Sequence, residues 1–250
     1  MKKILLGAMM LCICGCGVQE EGMYGIDHFF LEEEGEEMRQ AFDQLTADTF
    51  EWYQSIEGND GVYIIHYDLF GKELMKEWKE NGIYETVPEE DLSYFVSSEN
   101  YLSVSGYSLY DEEKQLIHSG VRLYLIPETM DKEEAERTMA FLREEALYGL
   151  REDPMIPTAF TADPRVEFHT YQPFGVLKAQ DGTEVKDPVI FCVCCDNMKY
   201  FESESLIATG AKDGYIRLDK DAYEKYAGNN LPENLRTKKV TILPVDRMAD

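Results

Sequence analysis

Val121-Arg-Leu-Tyr-Leu-Ile126, closed by Pro127 and followed by a helical run to about Tyr148, decides the fold class. Six residues dominated by branched and aromatic side chains suit a strand, and a proline, which has no N–H to donate, ends it. Beyond it, Ala135, Met139, Leu142 and Ala146 recur at helical spacing and mark one inward stripe. Thr129 or Asp131 supplies the N-cap. The same order occurs earlier. Val62–Tyr67 reads as a strand, and Gly71–Lys79 reads as a helix carrying Leu74, Met75 and Trp78 that stops at Asn81-Gly82. These two segments, 62–80 and 121–148, hint at a duplicated β-α unit. The expected class is α+β: mixed sheets with packed helices, with two related β-α subdomains as a candidate arrangement and a subdivision near 150–164.

Working outward, Met38, Phe42, Leu45, Phe50, Trp52, Tyr53 and Ile56 give a helix over 37–56, ended by Gly58-Asn59-Asp60-Gly61. Asn100–Tyr110 alternates in part and predicts a strand, with Ser103, Ser105 and Ser108 on its exposed face. Asp153–Pro164 holds three prolines and reads as a loop. Further strands are expected at Val166–Tyr171, Phe174–Lys178 (with a turn at Asp181-Gly182), Val189–Cys195, Gly214–Leu218 and Val240–Val245, and a helix at Lys220–Tyr226. Residues 16–37, with Glu32-Glu33-Glu34-Gly35-Glu36-Glu37, read as an acidic tether carrying a short apolar patch, Ile26–Leu31.

The 250 residues carry 49 Asp and Glu against 24 Lys and Arg, a net charge of −25. Nucleic-acid binding and direct electrostatic attachment to anionic lipid need the opposite sign, so both are excluded as partners. The acidic excess reads as a solubilising surface. Cys192, Cys194 and Cys195 lie in an apolar run; in a strand the first two share one face and Cys195 takes the other. Their spacing is not a zinc-knuckle pair, so they are expected to be buried free thiols without a disulfide framework. His28, His66, His118 and His169 share no ligand spacing, and His66 and His169 fall in strands. The chain contains no G-x-S-x-G, H-E-x-x-H, P-loop or G-x-G-x-x-G motif. Asp219 and Asp221 read as helix-capping residues. No catalytic, metal or cofactor residue is therefore assigned, and the protein reads as a non-enzyme. A secreted hydrolase whose site is assembled only by the fold stays as an alternative.

Met1-Lys2-Lys3 followed by the apolar run Ile4–Ile13 has the build of an export signal over 1–15, too short for a stable span. Ile13-Cys14-Gly15-Cys16 resembles a bacterial lipobox, with Cys14 at the small-residue position. The resemblance implies cleavage before Cys16 and a diacylglyceryl thioether on its sulfur, a membrane lipid anchor of the palmitate type facing outside the cytoplasm. Two acyl chains hold a domain firmly at a bilayer. Retention of the segment as an uncleaved anchor is the competing expectation. The remaining residues, 38–250, are expected to form the extracytoplasmic domain.

Three segments carry a second resemblance: Val121–Met130, Gly182–Met198 and Tyr200–Leu218. Together they resemble the extracellular domain of bacteriocin-associated FtsX/MacB-like ABC transporter permeases, over about 60–250. The resemblance implies contact with peptides, envelope components or transporter subunits, and carries no catalytic residues. In those permeases a membrane helix precedes the domain and others follow. The expectation is a stand-alone lipoprotein that binds a peptide or protein partner beside an ABC transporter. The alternative is the N-terminal extracellular part of a split or truncated permease.

Overall fold

A computed structural model describes residues 22–148, 150, 156–207 and 214–245. In chain order the elements are β1 (Tyr24–His28), α1 (Gly35–Ile56), β2 (Val62–Phe70), α2 (Lys72–Glu80), β3 (Leu92–Ser97), α3 (Glu99–Val104), α4 (Asp111–His118), β4 (Val121–Pro127) and α5 (Lys132–Leu147). There follow α6 (Ala159–Ala162), β5 (Arg165–Tyr171), β6 (Val176–Lys178), β7 (Glu184–Lys186), β8 (Val189–Cys192), α7 (Tyr200–Ser205), β9 (Ile216–Leu218), α8 (Lys220–Tyr226), α9 (Glu233–Thr237) and β10 (Thr241–Pro244). The class is α+β, as expected.

Eight strands form one sheet in the order β10-β1-β9-β2-β3-β8-β4-β5, and β6 and β7 form a separate hairpin. β3 and β8 run parallel, as do β4 and β5; the other pairs are antiparallel. Strand alternation sends side chains to two cores. Val62, Ile64, Tyr94, Val96, Tyr124, Ile126, Val189 and Phe191 meet Leu45, Tyr53, Met75, Phe141 and Leu142 from α1, α2 and α5. Tyr63, Ile65, Phe95, Leu123, Leu125, Ile190 and Cys192 meet Tyr101, Leu102 and Ile117 from α3 and α4, together with Leu177 and Val185 of the hairpin. The sheet is covered on both faces, which explains why β4 is buried at all seven positions and shows no polar alternation.

Local chemistry sets the element ends. Asp131, not Thr129, caps α5, its carboxylate accepting from the Glu133 N–H at 2.9 Å and the Glu134 N–H at 3.4 Å. Asp219 caps α8 by accepting from the Ala222 N–H at 2.8 Å. Gly120, between α4 and β4, has φ +83° and lies so close to α6 that a Cβ there would stand 2.6 Å from the Ala159 Cβ.

Several expectations change. The stretch read as an acidic tether over 16–37 contains β1, hydrogen-bonded between β10 and β9, with Ile26 buried against the larger core. Asn100–Tyr110 is not a strand. Tyr101 and Leu102 pack side by side on α3, and Gly106 at φ +98° turns the chain away. β3, α4 and α7 carry no expectation above. The two β-α segments, β2–α2 and β4–α5, join one sheet and do not form separate subdomains. The first returns antiparallel to β3 and the second parallel to β5. The cysteine run is a strand through Cys192 and then tightens into a turn at Cys195–Asn197, where Asn197 Oδ1 accepts from the Cys194 N–H at 2.9 Å. All three thiols are buried and free, with Cys192 and Cys194 on one face and Cys195 on the other. No helix among the described residues is long and apolar enough to cross a membrane.

Candidate functional site

The predicted lipidation residue, Cys16, and the signal segment 1–15 lie outside the described residues. His66 and His169 sit in β2 and β5 as expected. The His66 ring stacks on Tyr215 with centroids 4.3 Å apart, and its Nδ1 lies 3.4 Å from Gln180 Nε2. Burial and, after it, the charge of Arg217 push its pKa down to about 4, so the ring is neutral at pH 7. His169 Nδ1 lies 2.9 Å from Glu113 Oε1, while Glu113 Oε2 accepts from the Tyr110 N–H. The partners of both rings are thus Gln180 and Glu113, and the serines of 103–108 belong to α3 and the loop after it.

An aromatic groove of about 480 Å³ lies between α2, α5 and α7. Drug-sized ligand sites are mostly apolar clefts of roughly 300–1,000 Å³ with a few placed polar groups, and this groove has that character. Its floor is built on Phe141 of α5, which is 1% exposed. Trp78 of α2 stacks parallel to Phe141 at 6.2 Å, and Tyr84 meets it edge-on at 5.0 Å. Phe70, the last residue of β2, meets Trp78 edge-on at 6.0 Å. Helical spacing on α2 divides the labour: Met75 points into the core and Trp78, one turn later, reaches the groove.

Tyr148 and Phe201 flank the mouth, 58% and 57% exposed. Large exposed rings at the edge of a concave apolar surface suit an interaction site.

The polar groups of the groove are Glu145, Lys199, Glu204 and Thr161, with the phenols of Tyr84, Tyr148 and Tyr200. Lys199 is buried; its ammonium donates to the Glu145 carboxylate at 2.5 Å and to the Glu145 carbonyl at 2.9 Å, so its charge is spent inside the wall. Tyr200 donates to Asp43 Oδ1 at 2.6 Å. Burial, with the nearby Glu145, Tyr148 and Glu144, pushes the Tyr84 phenol up to about 12, so it remains a neutral donor.

Adjoining the groove is a smaller cavity of about 80 Å³, sharing Phe70, Glu145 and Phe201 with it. His66, Asp68, Tyr215 and Glu202 line this second space. Glu202 there forms a buried ion pair with Arg122, Nη2 to Oε1 at 2.7 Å. The Arg122 guanidinium also lies 4.1 Å from the centre of the Phe191 ring. The pair cross-braces α7 against β4 and so fixes one wall of the groove.

No protein-family model matches the chain, and comparison with curated proteins and with solved structures finds no similar protein.

None of the groove residues was singled out as functional from the sequence. They come from 70–84, 141–150, 161 and 199–204, and within each stretch they look like ordinary amphipathic positions. The one signal in the sequence was a surplus of rings at half-exposed helical positions, Trp78 and Tyr148 above all.

Proposed function

We propose that this protein is a non-enzymatic, lipid-anchored binding protein of the extracytoplasmic membrane face, which captures a peptide segment in the groove between α2, α5 and α7. The groove carries the reading. Ring faces bear negative charge and attract cations within about 6 Å of their centres. Here four rings, Trp78, Tyr84, Tyr148 and Phe201, line the groove, and the Lys199 ammonium in its wall is already held by Glu145, so it does not repel an incoming cation. The preferred occupant is therefore a peptide presenting a lysine or arginine side chain beside an apolar residue. A net charge of −25 draws such a peptide in from a distance. The lipobox-like Ile13–Cys16 supports the anchor at Cys16, and the resemblance to permease extracellular domains supports a place beside an ABC transporter.

Calorimetric titration tests the groove. A short lysine-containing peptide is expected to bind saturably, and its glutamate-substituted counterpart to bind at least tenfold more weakly. Tyr148→Ala and Phe201→Ala, both at exposed positions, are expected to weaken binding without altering folding. Equal binding of the two peptides, or wild-type affinity in both variants, would refute the reading. Palmitate labelling in a bacterial host tests the anchor: label is expected at Cys16 and absent from Cys16→Ala. An unlabelled chain retaining residues 1–15 would favour the permease-fragment alternative.

A further inference from the structure

A second constellation lies at the opposite end of the strands. β3 and β8 are parallel neighbours, yet the chain leaves them in different directions. After β3 it enters α3, whose Tyr101 and Leu102 join one core; after β8 it continues to Met198 and Leu206 in the other. The carboxyl ends of parallel neighbours whose chains diverge are where open sheets characteristically bind ligands. The end of α4 delivers His118 to this end of the sheet, and the turn after β8 delivers Cys194 and Asp196.

The imidazole, thiol and carboxylate donor atoms of these three residues all lie within 4.8 Å of one another, with His118 Nδ1 and Asp196 Oδ2 at 3.8 Å. Ligand atoms placed around a tetrahedral zinc-type ion are separated by roughly 3.3–3.8 Å, given bond lengths of about 2.0–2.3 Å. We propose that His118, Cys194 and Asp196 form a binding site for a divalent transition metal of the zinc class, with the fourth position left to water.

Three further observations support the assignment. The other ring nitrogen of His118, Nε2, faces Glu99 Oε2 at 3.8 Å. A carboxylate behind a ligating histidine is the usual outer partner of such a site, because it holds the ring and its tautomer. Further negative charge lies close by. Glu57, whose Oε1 accepts from the Cys195 N–H at 2.8 Å, lies within electrostatic reach of His118 and Asp196. Finally, the buried Tyr53 hydroxyl has no hydrogen-bond partner among the described residues and lies within electrostatic reach of Glu57, Cys194 and Cys195. The donor set of one sulfur, one nitrogen and one oxygen selects a borderline ion such as zinc over calcium or magnesium, which take oxygen ligands. Binding exchanges the Cys194 S–H···O=C hydrogen bond to Ile117, now 3.3 Å, for a sulfur–metal bond, and the thiol proton passes to solvent.

Cobalt(II) titration of the full chain tests this, with Cys12, Cys14 and Cys16 replaced by serine in every sample so that N-terminal thiols contribute nothing. The expected result is one equivalent of Co²⁺ bound with a thiolate-to-cobalt charge-transfer band, displaced by one equivalent of Zn²⁺. His118 is exposed, so His118→Gln leaves the fold intact; it is expected to abolish the band, as is Cys194→Ser. Glu99→Gln is expected to weaken binding roughly 10–100-fold. Absence of the band in the parent chain, or its persistence in His118→Gln with affinity within tenfold of the parent, would overturn the site whatever the groove binds.

Discussion

Replacing Glu202 by Gln removes one negative charge from a site almost closed to water and leaves the shape almost unchanged. Glu202 is 4% exposed and its partner Arg122 is 0% exposed. Burial alone would raise the carboxyl's pKa, but the charges of Arg122 and Lys199 and their hydrogen bonds outweigh it and hold the group below its ordinary value. The amide keeps one acceptor, able to serve the Lys199 N–H that now reaches Oε2 at 2.9 Å. It cannot balance the guanidinium, which is left with the Tyr124 hydroxyl at 3.2 Å, the Asn197 carbonyl at 3.4 Å and the faces of Phe191 and Phe160. Two unit charges about 4 Å apart interact by about 4 kcal/mol at an effective dielectric constant near 20. Breaking buried pairs costs about 3–5 kcal/mol. Glu202→Gln is therefore expected to lower unfolding free energy by about 4 kcal/mol, read by urea denaturation with far-ultraviolet circular dichroism. Arg122→Met with Glu202→Met should recover most of that loss, since neither charge is then stranded. The pH dependence has a fixed sign. A depressed carboxylate stabilises the fold above its unfolded pKa near 4.5, and that contribution is lost as pH falls through the lower folded value, so Glu202→Gln flattens the acid limb. A loss under about 1 kcal/mol, or a double variant no more stable than the single one, would refute the argument.

Three other perturbations give separate readings. His66 is held neutral, so the unfolded chain takes up a proton between about pH 6.5 and about pH 4 that the folded chain refuses. Stability should fall by about 3 kcal/mol over that window relative to a His66→Gln chain, with Arg217, Asp68, Glu202 and Tyr215 unchanged around it; parallel pH profiles would contradict this. Gly120→Ala meets both a positive φ and the backbone of α6, with the Phe160 nitrogen 2.7 Å from the new Cβ. A loss of about 2–3 kcal/mol is expected, and an unchanged melting temperature would show that α6 does not seat as described. Phe141→Ala removes the floor of the groove and should cost about 3–5 kcal/mol, whereas Tyr148→Ala, at an exposed position, should cost under about 0.5 kcal/mol. Similar melting temperatures for the two variants would contradict the division between floor and mouth.

The sequence discloses elements that are chemically self-sufficient. β4 has its apolar run and closing proline, α5 its Asp131 cap, α8 its Asp219 cap, and the cysteine strand its alternation between two buried faces. It conceals β1, because Tyr24-Gly25-Ile26-Asp27-His28 is short and half polar and becomes a strand only when β9 and β10 present their free edges. It misleads at Asn100–Tyr110, where alternation of Ser with apolar residues imitates a strand but the neighbours Tyr101 and Leu102 enter the same core, which a helix allows and strand alternation does not. Both sites are products of topology. The groove gathers four distant stretches, and the His118–Cys194–Asp196 cluster joins residues 76 positions apart in sequence. Spacing rules detect ligands that are neighbours along the chain, and these are neighbours only in space.

The most direct test of the central claim uses the two tryptophans. Trp52 is buried away from the groove, its indole N–H donating to the Tyr226 carbonyl at 3.3 Å, so Trp52→Phe leaves Trp78 as the sole reporter inside it. Titration of that variant with a lysine-containing peptide is predicted to give a saturable change in Trp78 fluorescence that Phe201→Ala weakens at least tenfold. A flat titration, or the same response to a glutamate-substituted peptide, would contradict the account.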